Sequence, residues 1–232
     1  MSNQVRLNKY LAECGVAARR KADDLIATGQ IKLNGKVVTE LGTKIDPASD
    51  RVEYQGCALN SEKKIYIMLY KPAGYITAMS SERDVKLVAE LVRVPEKIFP
   101  VGRLDKDTTG LLLFTNDGEL TNRLLHPRYE HEKTYEISLQ RELTEDALRE
   151  LEQGVMLEDG MTAPAKAELL ASRKLQLTIH EGRKRQVKRM LEAVGNKVVT
   201  LKRVAFAGLT LGDLKVGEWR ELTAREVTML CT

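Results

Sequence analysis

Cysteine, histidine and tryptophan are scarce in this chain, which has three, three and one of them among 232 residues. The cysteines at positions 14, 57 and 231 show neither paired spacing nor a neighbouring histidine cluster. A disulfide framework and a zinc site both require such spacing, so the sequence favours neither. The histidines are dispersed, and we expect each to be a surface or packing residue. These patterns favour a reducing compartment and predict a cytoplasmic protein.

Long apolar runs are also missing, since the longest stretches, such as residues 65–70, are only long enough for a strand. The chain opens with Met1-Ser2-Asn3-Gln4 and passes directly into a charged segment, without the pattern of a secretory signal. No dinucleotide-binding glycine loop, Walker phosphate loop or Gly-x-Ser-x-Gly elbow occurs in it. The sequence therefore predicts a soluble protein and excludes the enzyme classes that depend on those motifs.

Positive charge is concentrated in one segment. The net charge is only +4, but residues 180–203 hold eight Lys or Arg against two Glu, which leaves −2 for the rest of the chain. A basic patch on a near-neutral body is typical of a surface that contacts phosphates. A solvated basic helix is the other interpretation of the same charges.

The first part of the chain predicts a small module of two amphipathic helices followed by short strands. Apolar residues recur at helical spacing over residues 7–11 and again over 18–26, and Gly29 ends the second helix. Residues 31–38 predict a hairpin, because Asn34-Gly35 at its centre favours a two-residue turn with positive φ. Residues 60–64 are polar and lack an apolar face, so we interpret them as a linker. The predicted domains are residues 1–60 and 61–232.

Beyond the linker the pattern is α+β, with a mixed, mainly antiparallel sheet flanked by helices. Thr144 followed by Glu145 and Asp146 predicts the start of one helix, with Thr144 as its cap. Strands are expected near 65–70, 111–115, 133–140, 165–170, 174–180, 197–203 and 208–211, and helices near 85–92, 119–125, 145–152 and 185–193.

One loop carries the densest polar sequence. Residues 101–110 run into an apolar strand at 111–114, which would hold Asp105 on a rigid shoulder. Asp105 and Asp107 could simply cap turns, since Asp side chains often bond nearby backbone amides. A calcium loop is excluded because its twelfth position requires Glu, whereas Asn116 stands there.

Three ordered motifs give this loop a further meaning. They are Gly102-Arg103-Leu104-Asp105 with its following Thr-x-Gly-Leu-Leu-Leu, then Glu132-Lys133-Thr134-Tyr135, and finally residues 181–190. Together they resemble the signature of pseudouridine synthases, more narrowly the ribosomal RNA group that includes the RsuA and RluB types. The first sixty residues resemble the S4 RNA-binding module. Within the group the chain looks closest to the small-subunit enzyme, from its overall length and its motifs, so a uridine of small-subunit ribosomal RNA is slightly favoured as the target. The S4 block looks at least as much like the large-subunit type.

The resemblance implies roles for individual residues. Asp105 would be the nucleophile, and an ionised carboxylate needs no metal or organic cofactor for this. The ring of Tyr135 would stack on the uracil, backed by Val187, with its hydroxyl placed for a late proton transfer. Without the resemblance, Tyr135 would be interpreted as a core residue of a strand. Lys188 stands where many relatives carry Arg, and it would pair ionically with Asp105. Arg103 would hold the target base out of its stack.

Further cations would contact RNA phosphates and position the substrate. In the basic segment these are Arg183, Lys184, Arg185 and Arg189, and in the S4-like module Arg6, Lys9, Arg19, Arg20, Lys21 and Lys36. The expected partner is ribosomal RNA or a ribosomal subunit precursor, bound by a monomer and without a membrane. A non-catalytic ribosome-binding or assembly factor with the same basic surfaces is the alternative. Such a factor would not need the carboxylate of Asp105.

Overall fold

The computed structural model describes residues 4–231, which form two compact units. One unit holds the described residues up to Ile65 together with Pro95–Lys97. The second holds Tyr66–Val94 and the chain from Ile98 onward. The boundary between residues 60 and 61 that the sequence suggests stays a prediction.

The first unit contains the two predicted helices and the predicted hairpin. Asn34 and Gly35 have φ values of 51° and 79°, the left-handed conformation that their hairpin turn requires. A core that includes Leu7, Leu11 and Ile31 packs the helices against the strands. The first and fourth strands pair with each other, and the other four form a sheet in the order β3-β2-β5-β6. Its elements are β1 (Val5–Arg6), α1 (Leu7–Glu13), α2 (Arg19–Ala27), β2 (Ile31–Leu33), β3 (Lys36–Val38), β4 (Lys44–Ile45), β5 (Val52–Tyr54) and β6 (Cys57–Ala58).

The second unit is built on a mixed sheet that is mostly antiparallel, as predicted. Its strands are β7 (Tyr66–Lys71), β8 (Phe99–Val101), β9 (Thr109–Thr115), β10 (Lys133–Leu139), β11 (Met156–Leu157), β12 (Gly160–Met161), β13 (Lys166–Ala171), β14 (Lys174–Ile179), β15 (Val198–Phe206), β16 (Leu209–Thr210) and β17 (Trp219–Glu221). The main order is β13-β14-β10-β15-β9-β7-β17, with β16 beside β15 and β8 beside β9, while β11 and β12 form a separate hairpin. Strands β15 and β9 run parallel.

Four α-helices accompany this sheet within residues 4–231: α3 (Gly118–Leu125), α4 (Glu145–Gln153), α5 (Gln186–Ala193) and α6 (Ala224–Cys231). Thr144 caps α4 as predicted, because its hydroxyl accepts from the amide of Ala147 at 3.2 Å. Asp117 caps α3 by accepting from the amides of Glu119 and Leu120. Apolar side chains of the sheet and of helices α3 and α6 share one core.

The helix predicted over residues 85–92 is wrong, since only a short 3-10 turn forms there, at Val88–Glu90. Leu87 is extended and forms a bridge with Ile76. The amide of Ile76 donates to the carbonyl of Lys86, and the amide of Val88 donates to the carbonyl of Ile76. These pairings use backbone groups that a helix would need, so a long-range contact overrides the local apolar periodicity.

Candidate active site

The loop between β8 and β9 carries Asp105 and is fixed from the protein interior. The buried hydroxyl of Thr77 donates to the carbonyl of Leu104 at 2.7 Å and accepts from the amide of the same residue at 3.2 Å. The backbone just before Asp105 is therefore held on both of its polar groups. These two hydrogen bonds are the physical reason for the rigid backbone that the sequence predicts next to this carboxylate.

A second anchor of the loop is Lys71, a fully buried residue at the end of β7. Its ammonium donates to the carbonyls of Pro72, Lys106 and Thr108, at 3.0, 3.3 and 2.8 Å. Burial lowers the pKa of Lys71 to about 8, and the negative charges of Asp107 and Asp105 oppose that change. Lys71 is not among the site residues predicted from the sequence. A lysine at the end of an apolar strand, directly before a proline, was its only signal.

Gly110 brings β9 close to β15. Its φ of 111° lies in the region that favours glycine, and a Cβ at this position would overlap the backbone of Arg203. The two residues are register partners across the parallel pair. Any larger residue at position 110 would push β15 away from the strand that follows the Asp105 loop.

Lys188 lies on α5, 81 residues after Asp107 in the sequence, and its side chain reaches the loop. Its ammonium is 3.8 Å from Oδ2 of Asp105 and 2.6 Å from each carboxylate oxygen of Asp107. The ammonium is a hydrogen-bond donor to Asp107 and holds the pKa of that carboxyl below its usual range. The side chain of Lys188 is 8% exposed, whereas those of Asp105 and Asp107 are 37% and 69% exposed. The sequence predicts no role for Asp107 beyond a turn cap, whereas in the structure Asp107 is closer to Lys188 than Asp105 is.

Asp105 borders a cleft of about 600 Å³. Asp105 and the exposed Arg103 lie at this cleft with Tyr135 and Val187, both buried. A carboxylate with a buried cation behind it and an aromatic ring beside it can receive a flat, neutral base. The cleft is also lined by Lys133, Arg203 and Phe206.

The cations of residues 183–189 differ in their surroundings. Lys184 and Arg185 are exposed at the cleft. Arg189 binds both carboxylate oxygens of Asp159 at 2.9 Å, and Arg183 donates to the carbonyl of Gly160 at 2.7 Å. Both arginines are thus fixed to the β11–β12 hairpin, and their contact with RNA phosphates stays a prediction.

The predicted RNA-binding cations of the first unit are mostly exposed. Arg6, Arg19, Arg20, Lys21 and Lys36 are open to solvent. Lys9 is half-buried and forms an ion pair with Glu13 at 3.7 Å, one turn along α1.

Two kinds of feature are absent from the part of the chain that the structure describes. No cluster of three or more His, Cys, Asp or Glu side chains could hold a metal ion. None of the helices there has the length and apolarity that crossing a bilayer requires.

The chain belongs to the RNA pseudouridylate synthase family, which matches residues 65–193, and residues 5–52 match the S4 domain. It is therefore a pseudouridine synthase with an S4 module. Because this is a class of enzymes, the alternative class of non-catalytic ribosome-binding factors is excluded. Its similarity to named relatives confirms the predicted RsuA/RluB-type group of ribosomal RNA enzymes.

Relatives and a solved structure match almost the whole chain. It is 50% identical to the ribosomal large subunit pseudouridine synthase B of Bacillus subtilis (strain 168), over 97% of this chain and 95% of that protein. It is 46% identical to an uncharacterized RNA pseudouridine synthase of Aquifex aeolicus (strain VF5), over 98% and 94%. The crystal structure of a pseudouridylate synthase matches with a TM-score of 0.72 and 36% identity, over 97% and 99% of the two chains.

Proposed function

We propose that this enzyme converts a uridine of ribosomal RNA to pseudouridine in the cytoplasm, with Asp105 as its nucleophile. The observation that carries the proposal is the position of Asp105 in the cleft, with Lys188 at 3.8 Å and Tyr135 on the same cleft. The cation stabilises the negative charge that a nucleophilic carboxylate needs. No cofactor takes part in this chemistry.

The reaction requires three events at one site. The bond between N1 of the base and C1′ of the ribose breaks, the base turns, and C5 of the base bonds to C1′. Asp105 acts while the first bond is broken, and Tyr135 stacks on the turning base. Arg103, an exposed residue of the cleft lining, holds the target nucleotide out of its stack. Val187 supports the tyrosine from the wall of the cleft.

The exposed cations of the first unit would dock the RNA through its phosphates, as would Lys184 and Arg185. We expect the double variant Arg20→Gln and Lys21→Gln to weaken RNA binding. Its affinity should also fall less steeply with salt, so that the slope of log affinity against log salt is smaller in magnitude by roughly 1.5. The reason is that binding with fewer phosphate contacts releases fewer counterions. Binding to a ribosomal RNA fragment over a salt series measures both effects.

A matched control for this pair exists in the second unit. Arg173 and Lys174 are likewise adjacent and exposed, and they belong to no predicted RNA surface. The variant Arg173→Gln and Lys174→Gln should keep the parental slope. Equal slopes for the two double variants would contradict docking through α2.

The target is proposed to lie in large-subunit ribosomal RNA. The 50% identical relative carries that name, and the S4 block supports it, whereas the length of the chain and its motifs slightly favour the small subunit. Mapping of pseudouridine by a chemistry-dependent primer-extension stop in cells with and without the protein tests the proposal. We expect one stop in large-subunit RNA to disappear with the protein. A lost stop only in small-subunit RNA would contradict the target, and unchanged stops in both RNAs would contradict the function.

A further inference from the structure

Tyr135 faces an arginine that neither the three motifs nor the proposed roles include. Tyr135 on β10 and Arg203 on β15 are register partners, and the register shifts between Thr134 and Tyr135 at a β-bulge. Partners across an antiparallel pair project from the same face, with Cβ atoms about 5 Å apart. Both residues also line the cleft that contains Asp105. The bulge therefore places a cation directly beside the catalytic tyrosine.

Arg203 is held in place from two sides and yet lacks a full set of partners. It is 3% exposed, its Nε donates to the carbonyl of Leu111 at 2.8 Å, and its guanidinium lies 4.9 Å from the ring centre of Phe206. Its Nη2 is buried without a hydrogen-bond partner among residues 4–231. An arginine with an unsatisfied buried donor is costly to fold. Such a group is retained where a ligand or a reaction uses it.

Among side chains, Tyr135 has the strongest electrostatic interaction with Arg203, through its hydroxyl. Burial lowers the pKa of Arg203, and its interaction with Tyr135 opposes that change. Lys133, a half-buried cation of the cleft, donates instead to the carbonyls of His131 and His180, at 3.1 and 3.3 Å. Burial and the charge of Arg203 lower the pKa of Lys133 to about 8. The ammonium of Lys133 therefore donates to backbone carbonyls, and Arg203 is the cation that interacts with the tyrosine hydroxyl.

We propose that Arg203 is a positioning residue that acts through the Tyr135 hydroxyl in the last proton transfer of the reaction. This inference rests on the proposed function. The role assigned to Arg203 involves neither the nucleophile nor the bond that breaks. Its guanidinium orients the hydroxyl and stabilises negative charge on the oxygen.

The step it assists can be written with all atoms balanced. Once C5 has bonded to C1′, C5 still carries its hydrogen and N1 is doubly bonded to C6. The Tyr135 hydroxyl first releases its own proton to solvent, and the tyrosine oxygen then takes the C5 proton. The C–H electron pair forms the C5=C6 double bond, and the N1=C6 π electrons become a lone pair on N1. A proton from solvent then completes N1–H. The tyrosine oxygen carries partial negative charge during this step, and Arg203 stabilises that charge.

Two RNA substrates separate this step from the earlier ones. A uridine substrate must lose the C5 proton, whereas a 5-fluorouridine substrate cannot lose fluorine as a cation and stops after the C5–C1′ bond has formed. We expect Arg203→Gln to slow single-turnover conversion of uridine by about 100-fold, and that of 5-fluorouridine by less than about threefold. Arg203→Lys should recover at least about tenfold of the loss, because it keeps the charge.

The variant Tyr135→Phe shows whether Arg203 acts through the hydroxyl. With uridine, the double variant Tyr135→Phe and Arg203→Gln should be no slower than Tyr135→Phe alone, since the arginine would have nothing left to act on. Circular dichroism and thermal unfolding establish that each variant is folded. If the glutamine variant is unfolded, Arg203→Lys carries the test, and it should slow uridine conversion while leaving 5-fluorouridine conversion unchanged.

Other outcomes would overturn the assignment. Equal slowing of both substrates by Arg203→Gln would place the residue in binding or in an earlier step. Multiplicative losses in the double variant, or parental rates for Arg203→Gln, would also exclude the assigned role. A parent enzyme that leaves both substrates unchanged would overturn the proposed function and this inference together, whereas an active parent with any of the other outcomes overturns the inference alone.

Discussion

Asp105→Asn is expected to abolish turnover while folding and RNA affinity stay near the parental values. The substitution keeps the shape of the side chain and removes only its charge, so the loss is chemical and should reach about 10⁴-fold or more. Single-turnover conversion of a ribosomal RNA fragment measures the rate. Thermal unfolding and filter binding of the same preparation measure the two properties that should not change.

The neighbouring carboxylate provides the matched control. Asp107 belongs to the same loop and is closer to Lys188 than Asp105 is, at 2.6 Å against 3.8 Å. Asp107→Asn removes the same charge but leaves Lys188 free to pair with Asp105, and we expect a loss of no more than about tenfold. Substantial activity in Asp105→Asn, or equal losses in the two variants, would contradict Asp105 as the nucleophile.

Lys188→Met is expected to lower activity by about 100-fold or more, because it removes the buried cation beside both carboxylates. Lys188→Arg should stay within about tenfold of the parent, since either cation can stabilise the charge on Asp105. The rates of the three proteins are compared on one RNA fragment. A methionine variant with parental activity would make Lys188 an ordinary structural charge.

The pH dependence of unfolding checks that the methionine substitution removed the intended pair. Lys188 lowers the pKa of Asp107 in the folded protein, so the folded state binds fewer protons than the unfolded state around that pKa range. The stabilisation is present above the ordinary carboxyl pKa of about 4 and is lost as pH falls through the lower folded value. The free energy of unfolding of Lys188→Met should therefore fall less steeply in acid than that of the parent. Parallel acid profiles would mean that this pair does not form in solution.

Local signals were sufficient for much of the fold. The Asn34-Gly35 turn, the Thr144 cap and the apolar strand runs each specify structure within a few neighbouring residues. The class and the mainly antiparallel sheet followed from them. The predicted helix at residues 85–92 failed because a distant pairing with Ile76 competes for its backbone, and such a pairing leaves no periodic pattern in the segment itself.

The site was predictable only where a motif marked it. The motifs identified Asp105, Tyr135 and Lys188, and the structure brings all three to one region. Lys71 and Arg203 lie on strands where a charged residue is most simply interpreted as solvent-exposed. Their burial depends on which strands become neighbours, and the spacing of residues within one strand does not contain that information. Asp107 was missed for a simpler reason, because Lys188 could be assigned to only one of two adjacent carboxylates.

The order of strands in the sheet has a consequence for the synthesis of the protein. Strand β15 lies between β10 and β9 and pairs with both of them. It therefore connects the strand that carries Tyr135 to the strand that follows the Asp105 loop. Asp105, Tyr135 and Lys188 all precede Val198, the first residue of β15. Translation therefore completes Asp105, Tyr135 and Lys188 before it completes the strand that joins them, which also carries Arg203. A nascent chain that ends before β15 therefore holds the reactive residues without the strand that brings them into one site.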